Sequence, residues 1–401
     1  AACIVMSASR GVLLGAVVAC VVAVFVRPPS LRVQWWLAPV TALGLVVATL
    51  AVPLSASRLT GGSPLAASTV TGRQLLWGES LRLIADHPFL GVGPSRFVDS
   101  IGVYHSAEWA RDVGAYAPPD SPHSFVMQVA AATGVVGLLA LAGLVVVSAV
   151  VLVRDRPWDV WQAGVVTLVA GLAVTYSTSF TDPITTTIAA LIIGGGLGRE
   201  AGSLPARGVV VARRAAAVVA SVVGVCLGGS ALVAESHYSA VLSSSDPLEQ
   251  AQAAIAVRPW DADLSRRMGF TLVRIAEAAG TDASGARVVL EQACPRLPGS
   301  VECAQALADA QALSGDGETA LATLERAGEF DPFNVDTMLR RGIVLAELGR
   351  FPEAERVFVE VTEMSPSTSE PWTDLAQLYT LMGRDEEAAM ASARAKKLAQ
   401  G

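Results

Sequence analysis

Charged residues are scarce in this 401-residue chain, at 16%, whereas 52% of its residues are hydrophobic. So few charges, together with a positive mean hydropathy, exclude an ordinary soluble protein of this length and predict a membrane protein. Lysine occurs only at Lys396 and Lys397, and no basic stripe offers contacts to phosphates. Because the net charge of −7 is carried mostly by the C-terminal third, nucleic acid is not an expected partner.

Cysteine is scarce too, with five in the chain: Cys3, Cys20, Cys226, Cys294 and Cys303. The first three lie in apolar stretches, where cysteine acts as a small buried hydrophobic residue. Cys294 and Cys303 flank a proline-bearing turn, and their spacing leaves open whether they form a disulfide. Because neither a Cys-x-x-Cys motif nor a nearby histidine pair occurs, we expect no metal site and no cofactor.

Apolar runs predict six membrane spans, since about 20 apolar residues cross the hydrocarbon core as a helix. They cover residues 1–26, 37–54, 124–153, 160–178, 184–197 and 215–234. The chain begins with Ala1 and no secretory signal precedes the first run, so we expect a fragment of a longer protein. The predicted membrane domain is residues 1–235.

Arginines predict the orientation of these spans. They cluster in the short connections after the first, third and fifth spans, and none lies in the turn between the fourth and fifth. Since basic residues mark cytoplasmic loops, the loop at 55–122 and everything after Ala234 are expected outside the cytoplasm. This outer loop contains one candidate amphipathic helix, 72–86, with Leu81 among its apolar residues and Glu79 among its polar ones. That helix should end before Pro88.

The C-terminal region, 246–401, repeats every 34 residues. The recurring residues are Gly315, Gly349 and Gly383; Ala320, Ala354 and Ala388; and Pro298, Pro332 and Pro366. This period resembles the tetratricopeptide repeat, in which paired helices stack into a superhelix with a concave binding face. We therefore predict a helical solenoid that binds a partner, with a packing spacer as the alternative.

His123 and Ser124 stand where the outer loop ends and an apolar helix begins. A neutral imidazole with an ordinary pKa of about 6.5 can accept a proton from an attacking sugar hydroxyl. The alternative is that His123 merely caps the helix or lies at the interface as a polar residue.

Two arginines are expected on the same side of the membrane. Arg10 interrupts an apolar span, where a charge costs at least about 2.5–3.5 kcal/mol unless it faces a polar cavity or an anion. Arg73 begins the amphipathic helix, and arginine suits bidentate phosphate recognition. Snorkelling of Arg10 to the headgroups and solvation of Arg73 at the surface are the alternatives. With a base, two arginines fit a pyrophosphate leaving group.

The order of these residues is similar to that in the O-antigen ligase and polymerase family. The similarity covers about residues 1–200 and is carried by Ser9-Arg10-Gly11; Gly72-Arg73 with Trp77; Asp86-His87-Pro88-Phe89-Leu90-Gly91-Val92-Gly93 with Phe97; and His123-Ser124 with Gly134 and Gly137. Family members usually have more spans before the Ser-Arg-Gly helix, which agrees with a truncated chain.

The resemblance implies an all-α, metal-independent, inverting glycosyltransferase in the bacterial cytoplasmic membrane. It would transfer a glycan from undecaprenyl pyrophosphate to a hydroxyl of a glycan, lipid or protein on the outer face. In that reading His123 is the base, Arg10 and Arg73 hold the pyrophosphate, and Gly91 and Gly93 shape backbone turns. Gly134 and Gly137 are expected to allow close helix packing.

Three other functions remain open at this point. A polymerase of the same family would use the same donor chemistry with another acceptor. A non-enzymatic scaffold would recruit envelope polysaccharide proteins through the repeats. A transporter is disfavoured, because polar residues cluster at the outer face and are sparse at the middle of the spans.

Overall fold

The computed structural model describes residues 10–26, 36–51, 64–114, 119–154, 160–177, 194 and 207–400. These described residues form helices and turns, without a strand. They group into two compact units: residues 1–97 with 119–205, and residues 98–118 with 206–401. The all-α prediction is confirmed for the described part of the chain.

Five helices of the first unit lie within the described residues. They are α1 (Arg10–Val26), α2 (Leu37–Ala51), α3 (Pro64–Asp86), α6 (Phe125–Arg154) and α7 (Val160–Ser177). Two segments within them are long and apolar enough to cross a membrane, Phe125–Val150 and Val160–Ser177, and the apolar helices in 11–26 and 37–51 are shorter. The predicted fifth span, 184–197, lies almost wholly outside the described residues, so the count of six spans stays a prediction.

Small residues bring α1 and α7 together. A Cβ added to Gly15 would lie 2.6 Å from the Gly171 carbonyl oxygen and 2.3 Å from Thr175 Oγ1, and one on Gly171 would lie 3.0 Å from the Gly15 oxygen. Helix backbones approach this closely where side chains are absent, which is a common basis of helix association in membranes. Gly15 and Gly171 thus fix the pairing of α1 with α7.

The outer-loop helix α3 differs from its prediction at both its start and its buried face. It ends at Asp86 as expected but begins at Pro64 rather than near Gly72. Leu76, Glu79 and Leu83 are 2%, 1% and 0% exposed, whereas Leu81 is 58% exposed. The predicted apolar and polar faces were therefore partly wrong, because the buried stripe at i, i+3 and i+7 includes a carboxylate.

The second unit is an array of helical hairpins. Its helices are α8 (Arg207–Val241), α9 (Pro247–Val257), α10 (Ala262–Ala279), α11 (Ser284–Ala293), α12 (Val301–Leu313), α13 (Gly317–Phe330), α14 (Val335–Glu347), α15 (Phe351–Met364), α16 (Glu370–Leu381) and α17 (Asp385–Ala399). Ala320 and Ala354 are fully buried and Ala388 is 9% exposed, so the periodic alanines lie where the helices meet.

The periodic glycines terminate the first helix of three hairpins. Gly315, Gly349 and Gly383 have φ of 79°, 75° and 70°, a conformation that only glycine adopts without cost. After each glycine, the next amide donates to a carbonyl five residues earlier, at 2.9 Å in all three turns. This is the Schellman pattern of helix ends, repeated every 34 residues as the sequence predicts.

Two further features lie in the N-terminal half of the array. Cys294 and Cys303 form a disulfide with a Cα–Cα distance of 5.6 Å, which closes the turn before α12. Helix α8 is 35 residues long and contains the predicted sixth span. Its apolar residues are exposed around Val225 and Leu232, at 74% and 75%, but Ala234 and Val241 are buried in the core of the first hairpins. The C-terminal end of α8 is therefore part of the array.

The outer loop contributes a segment to this second unit. It comprises α4 (Phe97–Ile101), a 3-10 turn (Gly102–Tyr104), α5 (Ala107–Trp109) and a π-helical turn (Ala110–Gly114). The apolar runs predict residues 55–122 as one loop of the membrane domain, whereas residues 98–118 group with the repeats.

A pH-dependent stability is expected of the last hairpin. Burial, reinforced by Glu370, raises the pKa of Asp374 on α16 from its ordinary value of 3.8 to about 6. The folded state then retains a proton that the unfolded state has lost between these values, so stability falls as pH rises from about 4 to about 6. Asp374→Asn should remove this slope and stabilise the hairpin at pH 7 by about 1 kcal/mol, after allowance for solvent screening.

Hydrogen exchange of α16 and α17 in the full chain at pH 4.5 and 7 would measure this effect. Glu363→Gln, at an exposed position on α15, is the control. A slope that persists unchanged in Asp374→Asn would refute the assignment to this carboxyl.

Candidate active site

His123 has a backbone conformation that is rare for a residue with a side chain. Its φ is 51°, in the left-handed region that costs energy for residues other than glycine and is enriched at functional sites. Pro122 before it and Ser124 after it are both buried. The side chain of Trp77 on α3 fixes this stretch, since its Nε1 donates a hydrogen bond to the Pro122 carbonyl oxygen at 2.8 Å. The imidazole is thus presented by a constrained backbone.

Electrostatics favour the neutral imidazole. Partial burial, followed by the positive charge of Arg73, lowers the pKa of His123 below its ordinary 6.5, while Asp120 acts in the opposite direction. Burial and a nearby cation both disfavour imidazolium. At neutral pH His123 therefore holds the unprotonated nitrogen that a general base needs.

The structure brings two of the three predicted catalytic and pyrophosphate-binding residues together. Arg73 is half-buried on α3, one helical turn before Trp77, and its charge acts on His123. Residues four apart lie on one helix face, so the arginine and the tryptophan that holds the His123 stretch share a face. Arg10 begins α1, but its side chain lies outside the described residues and its role stays a prediction.

A break in α6 explains two of the glycine motifs. Gly134 has φ 60° and ψ −156°, which is not helical. The carbonyls of Ala131 and Ala132 accept the amides of Val92 and Gly93 at 2.8 and 3.1 Å. On the other side of the break, the Val135 amide donates to the Pro88 carbonyl at 2.8 Å. The loop at 88–93 thereby supplies hydrogen-bond partners for backbone groups that the break removes from the helix.

Glycine is needed at this junction for two physical reasons. Gly91 and Gly93 have φ of 64° and 102°, consistent with the predicted turn-shaping role. A Cβ on Gly91 would lie 2.3 Å from the Ala131 oxygen, and one on Gly134 would lie 2.4 Å from the Phe89 carbonyl. For Gly134, the expectation of helix–helix packing was wrong, because the residue breaks its helix and receives a loop. Gly137 packs over Thr133 of the preceding turn.

Gly134→Ala is expected to detach the loop at 88–93 from α6. The φ and ψ of Gly134 belong almost only to glycine and cost another residue about 1–3 kcal/mol, to which the clash with Phe89 is added. Hydrogen exchange at Val92, Gly93 and Val135 should rise by at least tenfold. Gly143→Ala is the matched control, because a Cβ there meets nothing within 4 Å. Equal protection in Gly134→Ala and the native chain would contradict the account.

Three residues of this region have roles that no sequence motif predicts. Trp77 is the tether of the His123 stretch, and its i, i+4 spacing from Arg73 was the available signal. Asp120 acts on His123 from three residues away. Glu79 is buried on α3, with Arg82 Nη2 3.9 Å from its Oε1. No sequence period predicted its burial.

An Asp-x-Asp sequence, a spacing that can bind a metal, occurs in the second unit, away from the candidate site. Asp261 and Asp263 are two residues apart, but Asp261 caps α10 by accepting the Leu264 amide at 2.9 Å. Asp263 pairs with Arg266 at 2.7 Å. Across the described residues, no three His, Cys, Asp or Glu side chains converge as a metal site would require.

Comparison with known protein families gives a match in the N-terminal part of the chain. Residues 1–142 match the family model for O-antigen ligase, which confirms the resemblance over that stretch and includes His123, Arg73 and both glycine motifs. A search of curated proteins gave no match.

Among solved structures, two of the similar chains are described as tetratricopeptide-repeat proteins. One, from Thermus thermophilus, is 24% identical, with a TM-score of 0.34, over 38% of this chain and 82% of its own. YrrB, described as having an unusual peptide-binding site, is 18% identical, with a TM-score of 0.32, over 43% and 84%. MamA is 14% identical, with a TM-score of 0.36, over 44% and 93%.

The helix pairs with their periodic turn glycines, preceded by apolar helices, define a helical protein with a repeat array. The N-terminal part is similar to O-antigen ligase over residues 1–142.

Proposed function

We propose that this protein is a membrane glycosyltransferase of the O-antigen ligase kind. It moves a glycan from an undecaprenyl-pyrophosphate carrier to an acceptor hydroxyl on the outer face of the bacterial cytoplasmic membrane. The observation that carries the proposal is the pairing of a neutral, partly buried His123 with the Arg73 cation inside the matched family domain. A base and a cation at one site are what displacement of a pyrophosphate requires.

The reaction assigns each residue one task. The His123 imidazole accepts the proton of the acceptor hydroxyl as that oxygen attacks the anomeric carbon of the donor sugar. The bond between this carbon and the phosphate oxygen breaks, which inverts the configuration. Negative charge grows on the departing pyrophosphate, and Arg73, with Arg10, neutralises it. This chemistry needs no metal or other cofactor.

The constrained backbone at His123 supports this assignment. A residue that only capped the following helix would need no positive φ, and helix N-caps ordinarily have extended backbones. Strain is retained where the surroundings enforce it, and here the Trp77 hydrogen bond to Pro122 does so. The constraint favours a role in which the imidazole position matters.

The proposed side of the membrane follows from charge and cysteine chemistry. The arginines of the short connections favour a position outside the cytoplasm for the outer loop and the repeats. The Cys294–Cys303 disulfide agrees, since such bonds persist in oxidising compartments. The repeats then form an extracytoplasmic platform for an acceptor or a protein partner, and lipid surrounds the apolar helices.

Deletion of the gene, with analysis of the surface glycan, tests the function and its alternatives. Accumulation of carrier-linked polymer with loss of the finished conjugate is the result expected of a ligase. Accumulation of single repeat units would instead show a polymerase of the same family. An unchanged glycan profile would refute both, and full complementation by an active-site variant but not by a chain lacking 246–401 would indicate a scaffold.

A further inference from the structure

A segment of the outer loop is bound by the repeat array within the second unit. This docked segment, residues 98–114, meets two successive inter-repeat turns. A Cβ on Gly102 would lie 2.7 Å from the Phe330 carbonyl oxygen, and one on Gly299 would lie 2.4 Å from the Asp99 carbonyl oxygen. The facing backbones thus leave no room for a side chain at either glycine, as in a tightly packed interface.

The centre of this interface is a buried His–Asp pair. His105 Nδ1 lies 3.2 Å from both carboxylate oxygens of Asp331, and the two side chains are 1% and 0% exposed. The imidazole also stacks on Trp109, with ring centroids 5.2 Å apart, and Trp109 is itself buried. Enclosed polar pairs with good geometry give specificity to an arrangement.

The repeat period shows that Asp331 is not needed for the turn itself. The corresponding residues of the neighbouring copies are Leu297 and Ser365, so only one of the three is acidic. Helix α14 is capped by Asn334, whose Oδ1 accepts the Thr337 amide at 2.9 Å, while Asn334 Nδ2 donates to Asp331 at 3.2 Å. In the next copy Ser365 makes the analogous contact with Thr368 at 2.6 Å. The carboxylate is therefore specific to the copy that holds His105.

The docked segment lies in the sequence between the two parts of the candidate site. Gly93, which closes the junction with α6, precedes it, and His123 follows nine residues after Gly114. Anchoring the middle of a loop reduces the conformations open to its ends, because the effective loop becomes shorter. Residues 115–118 of the chain separate the docked segment from the stretch that presents His123.

We infer that His105 and Asp331 are positioning residues for the proposed transfer, and that the repeat array is a working part of the transferase. The inference rests on the proposed function for its catalytic consequence. Its structural consequence, ordering of residues 119–124 by the anchored segment, is independent of any activity.

Asp331→Ser in the full chain is the test. Serine occupies this position in the next repeat, where Ser365 contacts Thr368, the counterpart of Asn334, so the array should retain its hydrogen-exchange protection. Exchange should rise at least tenfold in residues 101–114 and also in 119–124. The kcat for transfer should fall at least tenfold, with KM for the carrier-linked donor changed less than about twofold, since anchoring acts on the base. Asp331→Asn, which retains an acceptor oxygen for His105, should lie between serine and native.

Each outcome decides a separate claim when His123→Ala is measured beside these variants. If Asp331→Ser showed faster exchange at 101–114 but unchanged exchange at 119–124, or a native kcat, the positioning role would be overturned. Loss of transfer in His123→Ala would in that case still support the proposed function. Native transfer by His123→Ala with reduced transfer by Asp331→Ser would refute the role of His123 as the base and support a role of the repeat array in transfer. If the native chain transfers no carrier-linked glycan, the function fails and exchange at 119–124 still decides the positioning claim.

Discussion

His123→Ala is expected to lower the rate of glycan transfer by about 10²–10⁴-fold, the usual contribution of a positioned general base. The variant removes the proposed proton acceptor without disturbing the Trp77 hydrogen bond, which ends on the Pro122 carbonyl. Alanine retains the Cβ that disfavours a positive φ, so the backbone cost at φ 51° stays about the same as for histidine and folding should change little. Release of polyprenyl pyrophosphate from a carrier-linked oligosaccharide by the purified chain measures the rate.

His87→Ala is the matched control for this variant. His87 belongs to the same outer loop, and its exposed ring contacts the Leu83 carbonyl of the preceding helix, α3, at 3.2 Å. Transfer by this control should remain within about twofold of native, a range that surface substitutions rarely exceed. Native-like transfer by His123→Ala would remove the base from the mechanism.

Arg73→Ala is expected to have the second largest effect, about 10²–10³-fold on kcat, the cost of losing one donor to a developing negative charge. Arg73→Lys retains the charge without the planar fork that binds two phosphate oxygens, so its loss should be smaller, about tenfold. The donor analogue undecaprenyl pyrophosphate should inhibit Arg73→Ala less strongly than the native chain.

An exposed arginine of the outer loop provides the comparison. Arg111→Ala removes a side chain that donates to the Ala107 carbonyl of its own turn, and native kcat and inhibition are expected. If Arg73→Ala and Arg111→Ala had the same kcat and the same inhibition, Arg73 would not bind the pyrophosphate. The alternative, that Arg73 is a solvated surface residue, would then hold.

Local sequence rules predicted the features that depend on neighbouring residues. The proline at 88 ended α3, and glycine every 34 residues marked turns that require positive φ. The cysteines flanking one turn left a disulfide open, and the structure contains it. In each case the residue type alone restricts the backbone or supplies the bond, so the rule holds whatever surrounds it.

Features that depend on distant partners were not predictable in the same way. The break at Gly134 exists because the loop at 88–93 supplies hydrogen bonds to it, and a glycine in an apolar helix does not reveal that loop. The sequence predicts Glu79 on the polar face of α3. It is buried because of tertiary packing, which the sequence of the helix alone does not reveal. The contact of His105 with Asp331 joins residues 226 apart in sequence, and no periodic pattern links them.

The pH dependence of kcat/KM tests the central claim, that His123 is the base, most directly, because its acid limb reports the pKa of the free enzyme's base. Burial and Arg73 lower the pKa of His123, and Asp120 raises it. The account predicts an acid limb below pH 6.5, moved to still lower pH in Asp120→Asn because imidazolium loses a stabilising charge. A native acid limb above pH 6.5, or one that Asp120→Asn leaves in place, would contradict it.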